Sequence, residues 1–285
     1  MATTPFMKMH GLGNDFVVLD GRTHPIRLDP ERARAISDRR LGVGCDQLIV
    51  MHPPRASGAE VFMQILNADG DEVEACGNAS RCVGDLLMRE SGRDSSVIET
   101  VYGLLPAERT EGGLVAVDMG RARDRWDEIP LAGEVDTDHV DISVGPFSDG
   151  CAVNIGNPHI VFFVEDMDTI AIEEYGPLVE KHPLFPRRTN VEAVQVLDRD
   201  RLRMRVWERG VGVTRACGSG ACAALVAAAR RGLSARKAEV ILDGGPLVVE
   251  WLENGHVRMA GPVALSFTGE LAPDLAGDLA GDLSV

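Results

Sequence analysis

Two cysteines in this sequence stand in matched surroundings that suit acid–base chemistry. Cys76 is followed by Gly77, Cys217 is followed by Gly218, and each pair opens a helical pattern. A cysteine at the start of a helix meets unpaired backbone N–H groups, which stabilise negative charge and favour the thiolate. A glycine beside it lets a ligand approach the backbone closely. The two motifs therefore predict two reactive thiols.

The cysteine motifs belong to a weak internal repeat. EACGNASRC aligns with RACGSGACA at an offset of 141 residues, and this alignment places Asn67 opposite Glu208. Near the start of each half, GLGNDFVV resembles NIGNPHIV, which places Asn14 opposite Asn157 at an offset of 143 residues. Three landmarks in the same order at nearly the same offset indicate a duplicated domain.

Two reactive thiols, one in each half of a duplicated chain, suit a reaction that inverts a stereocentre. One thiolate removes the proton from a carbon, and the other thiol delivers a proton to the opposite face. Two helix starts aimed at one α-carboxylate would bind it and stabilise the charge that develops in the transition state. We therefore expect one active site, in the cleft between two pseudo-symmetric domains, that needs no cofactor.

Other roles for cysteine were weighed against this one. The spacings C-x5-C and C-x4-C, with seven scattered histidines, do not match the usual zinc sites, so we expect no metal. A redox role for Cys76 and Cys217 is kept as an alternative interpretation, although no C-x-x-C motif supports it. The remaining cysteines lack a matched context and are expected to pack as small apolar residues: Cys45, Cys82, Cys151 and Cys222.

Composition excludes several classes of protein. The chain has 285 residues, of which 45% are hydrophobic and 26% charged, as is typical of globular proteins. With 29 basic and 44 acidic residues, its net charge of −15 argues against binding to nucleic acid. We find no signal-peptide pattern and no apolar run long enough to span a bilayer, so we expect a cytoplasmic protein with no membrane partner.

Hydrophobic periodicity predicts an alternation of strands and helices. Strands are predicted over residues 14–20, 61–66, 97–102, 114–119, 160–164, 192–197, 202–207 and 247–252. Helices are predicted over residues 31–40, 82–91 and 220–231, the last two ending before Gly92 and Gly232, which suit a helix C-terminus. The polar stretch 121–130 predicts the join between the halves, and the C-terminal PDLAGDLAGDLSV is expected to be frayed or disordered.

Seven motifs, spread over about residues 7–265, together resemble the diaminopimelate epimerase family. They are MKMHGLGNDFVVLD, GVGCDQL, NADGDEVEACGN, GNPH, RTNVEAVQV, ERGVGVTRACGSGACA and GGPLVVEW. The resemblance implies a mixed α/β fold of two pseudo-symmetric domains, each a curved mixed sheet wrapped around a central helix. It places the half that carries Cys76 in residues 1–122 plus about 265–285, and the half that carries Cys217 in residues 123–264.

The same resemblance implies an isomerase, a cofactor-independent amino-acid epimerase. Its reaction would interconvert LL-2,6-diaminopimelate and meso-diaminopimelate for the biosynthesis of lysine and peptidoglycan precursors. A homodimer with a small-molecule substrate is expected. The alternative function is a sister racemase or epimerase that acts on histidine, proline or hydroxyproline. A binding or redox-sensing protein that keeps the fold is the remaining alternative, and the retained thiol pair argues against it.

The resemblance also carries roles to individual residues. Cys76 and Cys217 match the acid–base pair, and His159 with Glu208 matches a pair that adjusts the ionisation of the thiol. Positions that match substrate contacts are Asn14, Gln47, Asn67, Gly77, Asn78, Asn157, Asn190, Glu208, Arg209, Gly218 and Ser219. Asparagine donates and accepts without adding charge, and arginine binds a carboxylate through two N–H groups. Taken singly, these residues also fit turns, helix starts, structural histidines or a solvated surface.

The chain departs from the family pattern at two positions. Ala79 stands where the family usually has glycine, and alanine would be strained if that position required a positive φ. Ala193 stands where relatives commonly have a bulkier residue, and it is expected to widen one wall of the site.

Overall fold

The computed structural model describes residues 4–73 and 76–276. These residues divide into two compact units. Unit 1 holds the described residues up to Val117 and from Pro262, and unit 2 is Asp118–Gly261. The limits predicted from the sequence, after residues 122 and 264, lie a few residues from this division and stay a prediction. Of the tail expected to be disordered, Pro273–Ala276 forms a short helix and the rest lies outside the described residues.

Unit 1 is built mainly from the first part of the chain. Its elements are β1 (Thr4–Gly11), β2 (Asn14–Asp20), α1 (Pro30–Ser37), β3 (Gln47–His52), β4 (Val61–Asn67), β5 (Glu72–Val73), α2 (Gly77–Ser91), β6 (Ser95–Thr100), β7 (Gly103–Arg109) and β8 (Val115–Arg121), which runs on into unit 2.

Unit 2 follows, and the chain then returns to unit 1. The elements of unit 2 are β9 (Val140–Val144), β10 (Phe147–Asn154), β11 (Pro158–Phe163), a 3₁₀ turn (Met167–Thr169), α3 (Ile172–Glu180), β12 (Asn190–Asp198), β13 (Arg201–Glu208), β14 (Gly212–Val213), α4 (Gly218–Arg230), β15 (Lys237–Leu242), β16 (Gly245–Trp251) and β17 (His256–Gly261). The last elements, β18 (Ala264–Leu271) and α5 (Pro273–Ala276), belong to unit 1.

The two units pair their strands in the same series. In unit 1, β1 is antiparallel to β18 and β2, β2 is parallel to β3, and β3 is antiparallel to β4. β4 is antiparallel to β5 and parallel to β6, which continues antiparallel through β7 to β8. In unit 2, strands β9 to β17 repeat every one of these pairings in order. The repeat seen in the sequence is therefore a repeat of topology.

One helix lies at the centre of each unit. Helix α2 contacts β1, β6 and β7, and α4 contacts seven strands of its own unit, from β10 to β17. Nearly all residues of both helices up to the last turn are buried; α4 is apolar or small-residue-rich around most of its circumference, and α2 also buries Arg81 and Asp85. A helix apolar on all sides must be covered on all sides, which requires the sheet to wrap around it. This confirms the predicted mixed α/β architecture.

All of the predicted elements are present, with shifted ends. All eight predicted strands and all three predicted helices occur, and Gly92 and Gly232 adopt the left-handed conformation with φ of 69°. Helix α3 was not predicted because Gly176 and Pro177 interrupt its pattern. Gly176 is required by packing, since a Cβ atom there would lie 2.7 Å from the Trp207 side chain. Strand β3 (QLIVMH) was missed because a short apolar run has no diagnostic period.

No helix in residues 4–73 and 76–276 is long and apolar enough to cross a membrane.

Candidate active site

Cys76 caps the N-terminus of α2 in unit 1. Its backbone is extended, with φ of −146° and ψ of 106°, and Gly77 is the first residue of the helix. Its partly exposed sulfur lies 3.8 Å from the Oδ1 atom of Asn14, which also accepts a 3.0 Å hydrogen bond from Nδ2 of Asn78. Three of the predicted site residues in unit 1 therefore meet around one amide oxygen.

Ion pairs on the other side fix the amide of Asn14. Its Nδ2 atom donates a 3.0 Å hydrogen bond to Asp46, which is itself paired with Arg39. Arg39 and Lys8 also bind Asp15. Burial alone would raise the pKa of Asp15, but the hydrogen bonds from Arg39 and Lys8 outweigh it and lower that pKa to about 2. Because Nδ2 is held by Asp46, Asn14 turns its oxygen toward the cysteine.

Gln47 and Asn67 form a second predicted group in unit 1. They are partners in the antiparallel pairing of β3 with β4, and Nε2 of Gln47 donates a 3.0 Å hydrogen bond to Oδ1 of Asn67. The Oε1 atom of Gln47 is buried and has no hydrogen-bond partner among the described residues. An unpaired buried acceptor of this kind suits a ligand that donates.

The alanine that departs from the family pattern is accommodated without strain. Ala79 lies inside the first turn of α2, is fully buried and has no positive φ. The expected penalty does not arise, because this position is helical and not a turn. Ala193 is also fully buried, but it faces away from Asn190 and Glu192 on β12 and packs in the hydrophobic core. The expectation that it widens a wall of the site is therefore wrong.

Cys217 caps α4 in unit 2 and has the same extended backbone, with φ of −120° and ψ of 109°. Gly218 begins the helix. The cysteine sulfur lies 3.4 Å from the backbone nitrogen of Gly220, which donates to it, and 3.6 Å from the hydroxyl of Ser219. Cys217 is only 6% exposed. The second loop thus brings together Cys217, Gly218 and Ser219 as predicted, but at greater depth.

The charge environment of Cys217 differs from the sequence-based expectation. Burial raises the pKa of this thiol well above its usual value, and the carboxylates of Glu208 and Glu192 raise it further. The hydroxyl of Ser219 and the N–H group of Gly220 act in the opposite direction without overcoming these effects. A lowered pKa was expected from the helix start alone. That expectation is wrong for Cys217, because dehydration and two nearby acids outweigh the helix.

The partner of His159 is Glu192, a residue that the sequence analysis did not assign to the site. Nδ1 of His159 lies 2.7 Å from Oε1 of Glu192, and Nε2 lies 2.8 Å from Oδ1 of Asn157. His159 and Glu192 are both fully buried. Glu208, the partner implied by the resemblance, accepts a hydrogen bond from Thr214 and interacts with His159 through its charge. Burial raises the pKa of Glu208, and the hydrogen bond from Thr214 opposes this.

A sequence signal for Glu192 existed. It is a carboxylic acid in the middle of a strand whose neighbouring residues are apolar, and such residues are seldom fully buried without a partner.

Asn190 and Arg209 lie together at the turn that follows β13. Oδ1 of Asn190 accepts a 2.9 Å hydrogen bond from the backbone nitrogen of Arg209, and its Nδ2 donates to the carbonyl of Pro158 at 2.9 Å. Glu180 holds the same turn by accepting from the backbone of Gly210 at 3.1 Å. In this structure Asn190 therefore braces the turn that carries Arg209.

The remaining cysteines have the surroundings of packing residues. Cys45, Cys82, Cys151 and Cys222 are buried. Burial raises the pKa of Cys45, and it raises the pKa of Cys82 and of Cys151 to about 12, so these thiols stay protonated. Among residues 4–73 and 76–276, no three His, Cys, Asp or Glu side chains are grouped so that they could hold a metal ion.

Comparison with known proteins gives one consistent family. The model of the family described as diaminopimelate epimerase matches residues 6–124 and 151–266. The diaminopimelate epimerase of Rhodospirillum centenum is 57% identical over 267 residues, which cover 94% of this chain and 92% of that protein. The diaminopimelate epimerase of Acidiphilium cryptum is 54% identical over 270 residues, covering 95% and 97%.

Solved structures confirm the fold class at much lower identity. A hydroxyproline epimerase from Agrobacterium vitis, with bound trans-4-hydroxy-L-proline, matches with a TM-score of 0.68 and 16% identity over 98% of each chain. A phenazine biosynthesis protein of the PhzF family from Bacillus anthracis matches with a TM-score of 0.65 and 16% identity, over 95% of this chain and 100% of that one. At these identities the likeness shows the fold alone.

Proposed function

This chain belongs to the diaminopimelate epimerase family, and from its two cysteine loops we propose that it interconverts LL-2,6-diaminopimelate and meso-diaminopimelate. The observation that supports the proposal most directly is the repeated loop. Each unit places one cysteine, in an extended backbone, at the N-terminus of its buried central helix. The product would serve the biosynthesis of lysine and of peptidoglycan precursors.

The proposed reaction moves one proton at one α-carbon. One sulfur, as thiolate, takes the α-proton and becomes a thiol, while the electron pair of the broken C–H bond stays on the carbon. The other sulfur, as thiol, gives its proton to the opposite face of that carbon and becomes a thiolate. The balance is complete with Cys76 and Cys217 alone. The surroundings of Cys217 favour its thiol form, the form that donates a proton.

The helix starts provide the binding groups for the substrate α-carboxylate. Gly77 and Asn78 begin one helix, Gly218 and Ser219 begin the other, and the N-terminus of a helix favours an anion. The same groups stabilise the charge that the carboxylate gains when the α-proton leaves. The polar side chains of Asn14, Gln47, Asn67, Asn157 and Arg209, with the bracing Asn190 and the acidic Glu208, complete the proposed substrate contacts.

The proposal also covers the domain limits, the cellular location and the oligomeric state of the enzyme. We place the two functional halves at residues 1–122 with 265–285 and at residues 123–264. We also propose a cytoplasmic homodimer that has neither nucleic-acid nor membrane partners. The side chains of Leu265 and Phe267 on strand β18 are 42% and 51% exposed, and exposed apolar side chains of this kind suit a contact with a second subunit.

The alternative is a sister racemase or epimerase for histidine, proline or hydroxyproline. The decisive groups are Asn67, Asn157, Asn190 and Arg209, because a substrate without a second amino-acid head would not need all of them. Family matches over most of the chain favour diaminopimelate.

The test is a substrate panel without added cofactor or metal. Reduced protein is incubated with LL-diaminopimelate, L-proline, trans-4-hydroxy-L-proline or L-histidine, and the stereoisomers are separated by chiral chromatography. We expect meso-diaminopimelate to form and the other three amino acids to stay unchanged. Inversion of one of those three with no change in diaminopimelate would contradict the proposal.

A further inference from the structure

The buried acid Glu192 raises the pKa of Cys217 by its charge and has no other part in the chemistry described so far. It lies on β12, fully buried, with Oε1 2.7 Å from Nδ1 of His159. Its second oxygen, Oε2, is buried and has no hydrogen-bond partner among the described residues. Burying a carboxyl group with one oxygen unsatisfied is costly, so a function for this side chain is expected.

The hydrogen bonds fix where the protons of His159 lie. Nε2 of the imidazole lies 2.8 Å from Oδ1 of Asn157, and an amide oxygen can only accept. Nε2 must therefore carry a hydrogen. The other ring nitrogen and Oε1 of Glu192 then share a single proton, whether the pair is an imidazolium with a carboxylate or an imidazole with a carboxylic acid. In both arrangements the pair is neutral overall, which makes its burial tolerable.

This arrangement determines which end of Asn157 is presented. With Oδ1 bound to His159, the amide of the partly exposed Asn157 has only its Nδ2 hydrogens left to offer. Among the described residues, no hydrogen bond engages that nitrogen. Asn14, the matching residue in the repeat, is held in the opposite sense, with Nδ2 bound to Asp46 and Oδ1 turned toward Cys76. The two matched asparagines thus offer a donor in one unit and an acceptor in the other.

The chain of hydrogen bonds from Glu192 through His159 to Asn157, called the relay below, has no counterpart at the matched positions of unit 1. The registers of the two sheets place Phe16 where His159 stands and Ile49 where Glu192 stands. Gly220 leaves the space for the carboxyl group, since a Cβ atom there would lie 3.0 Å from Oε1 of Glu192. The matching residue of unit 1 is Ala79, and Ile49 stands there at the position of Glu192.

We propose that Glu192 is a positioning residue, which acts through His159 to hold the amide of Asn157 with its NH2 group toward a carboxylate of the substrate. The inference rests on the proposed function, because it takes the substrate to be a dicarboxylic amino acid. A donor amide fits a carboxylate, whereas a flipped amide would present its oxygen to that anion and repel it.

Two substitutions separate this role from simple packing. Glu192→Gln keeps the shape, and its amide can donate to Nδ1 of a neutral His159, which leaves the hydrogen on Nε2. Glu192→Ile copies unit 1 and removes the partner, so His159 no longer fixes Asn157. We expect Glu192→Ile to raise KM for LL-diaminopimelate about 10-fold with kcat changed less than about 3-fold, the pattern of lost substrate binding. Glu192→Gln should stay within about 3-fold of wild type in both constants.

The control is Glu250→Ile, the same substitution on the partly exposed strand β16, which should leave KM unchanged. An unchanged KM in Glu192→Ile, or an equal rise in Glu192→Gln, would overturn the proposal. Wild-type protein in the same assay tests the proposed function separately, since its inactivity on diaminopimelate would refute that function and not the relay.

A spectroscopic measurement on the wild-type protein does not depend on the folding of any variant. In protein labelled with 15N-histidine, the His159 resonance is assigned by its loss in His159→Gln. We expect Nε2 to be protonated, with or without a proton on Nδ1. A tautomer with hydrogen on Nδ1 alone would overturn the relay.

Discussion

The two cysteine loops share a backbone and differ in almost everything around it. In both, the cysteine is extended and a glycine begins the helix. Cys76 is partly exposed and its side chain makes no capping hydrogen bond to the helix, whereas Cys217 is buried and its sulfur accepts from the N–H group of Gly220. The comparison shows that duplication preserved the frame that presents the thiol, while the groups that set its charge diverged.

The divergence is clearest at matched positions beneath the loops. Unit 1 has the apolar pair Phe16 and Ile49 where unit 2 has His159 and Glu192, and all four side chains are fully buried. In the central helices it is unit 1 that has the charged residue at a matched position. Fully buried Arg81 of α2 stands where α4 has Cys222, so at these matched positions the buried charged side chain lies in the helix in unit 1 and in the sheet in unit 2. The two similar frames therefore place these buried charged groups in different elements.

The largest expected effect comes from removing either thiol. Cys76→Ala and Cys217→Ala should each lower kcat for epimerisation by about 10³-fold or more, because one face of the carbon then lacks its only proton carrier. Chiral chromatography of the products measures the loss, and circular dichroism checks folding. Cys82→Ala and Cys222→Ala, which alter packing cysteines in the same two helices, serve as matched controls and should remain active. If one of the loop variants kept more than about a tenth of wild-type activity, the two loops would not be equivalent partners.

The next largest difference between the two loops is expected at the third residue of each helix, which is Gly220 in α4 and Ala79 in α2. In Gly220→Ala the new Cβ atom would lie 3.0 Å from Glu192 and 3.3 Å from the Cys217 sulfur, so we expect kcat/KM to fall about 10-fold or more. The reverse change in the other loop, Ala79→Gly, meets no such contacts. It should lower the free energy of unfolding by about 1 kcal/mol and leave activity intact. Steady-state kinetics and urea unfolding measure the two effects, and equal losses of activity would contradict the contrast.

The smallest effect concerns the ion pairs that hold Asn14 in unit 1. The pKa of Asp15 is lowered from 3.8 to about 2 in the folded protein, so its pairing stabilises the fold above pH 4 and is lost as the pH falls toward 2. Asp15→Asn should therefore lower the free energy of unfolding by about 1 kcal/mol at pH 7, after allowance for solvent screening.

Urea unfolding at pH 7, 4 and 2.5 measures this effect. The difference between wild type and Asp15→Asn should shrink at each step down. A difference that stayed constant with pH would mean that the ion pairs of Asp15 do not stabilise unit 1.

Much of the duplicated fold could be predicted from the sequence, because local residue patterns indicate it. The cysteine motifs, the paired asparagines and the strand alternation indicated a duplicated mixed fold. The strand registers explain why the two offsets differ. Asn190 to Glu208 is two residues shorter than Gln47 to Asn67, so the offset falls from 143 to 141 between those points.

The effect of burial on the pKa of the Cys217 thiol could not be predicted from the sequence. The pattern around Cys217 indicates a helix start, but the pKa of this thiol is raised by its burial and by two acids brought in by β12 and β13. Those contacts depend on the strand register and on the depth of the loop, and neither can be derived from local spacing. The same holds for Asp46, which binds Asn14 across 32 positions of the chain.

The measurement that tests the central claim most directly is deuterium incorporation during the first few per cent of turnover. Wild-type protein is incubated with LL-diaminopimelate in D2O, and substrate and product are separated and analysed by mass spectrometry. A thiol carries one proton, so the sulfur that takes hydrogen from the substrate can return only that hydrogen, while the opposite thiol supplies deuterium from the solvent. The account predicts deuterium at one α-carbon of meso-diaminopimelate and none in the remaining substrate. Equal labelling of substrate and product would show that a single base serves both faces, and would contradict the proposed division of work between Cys76 and Cys217.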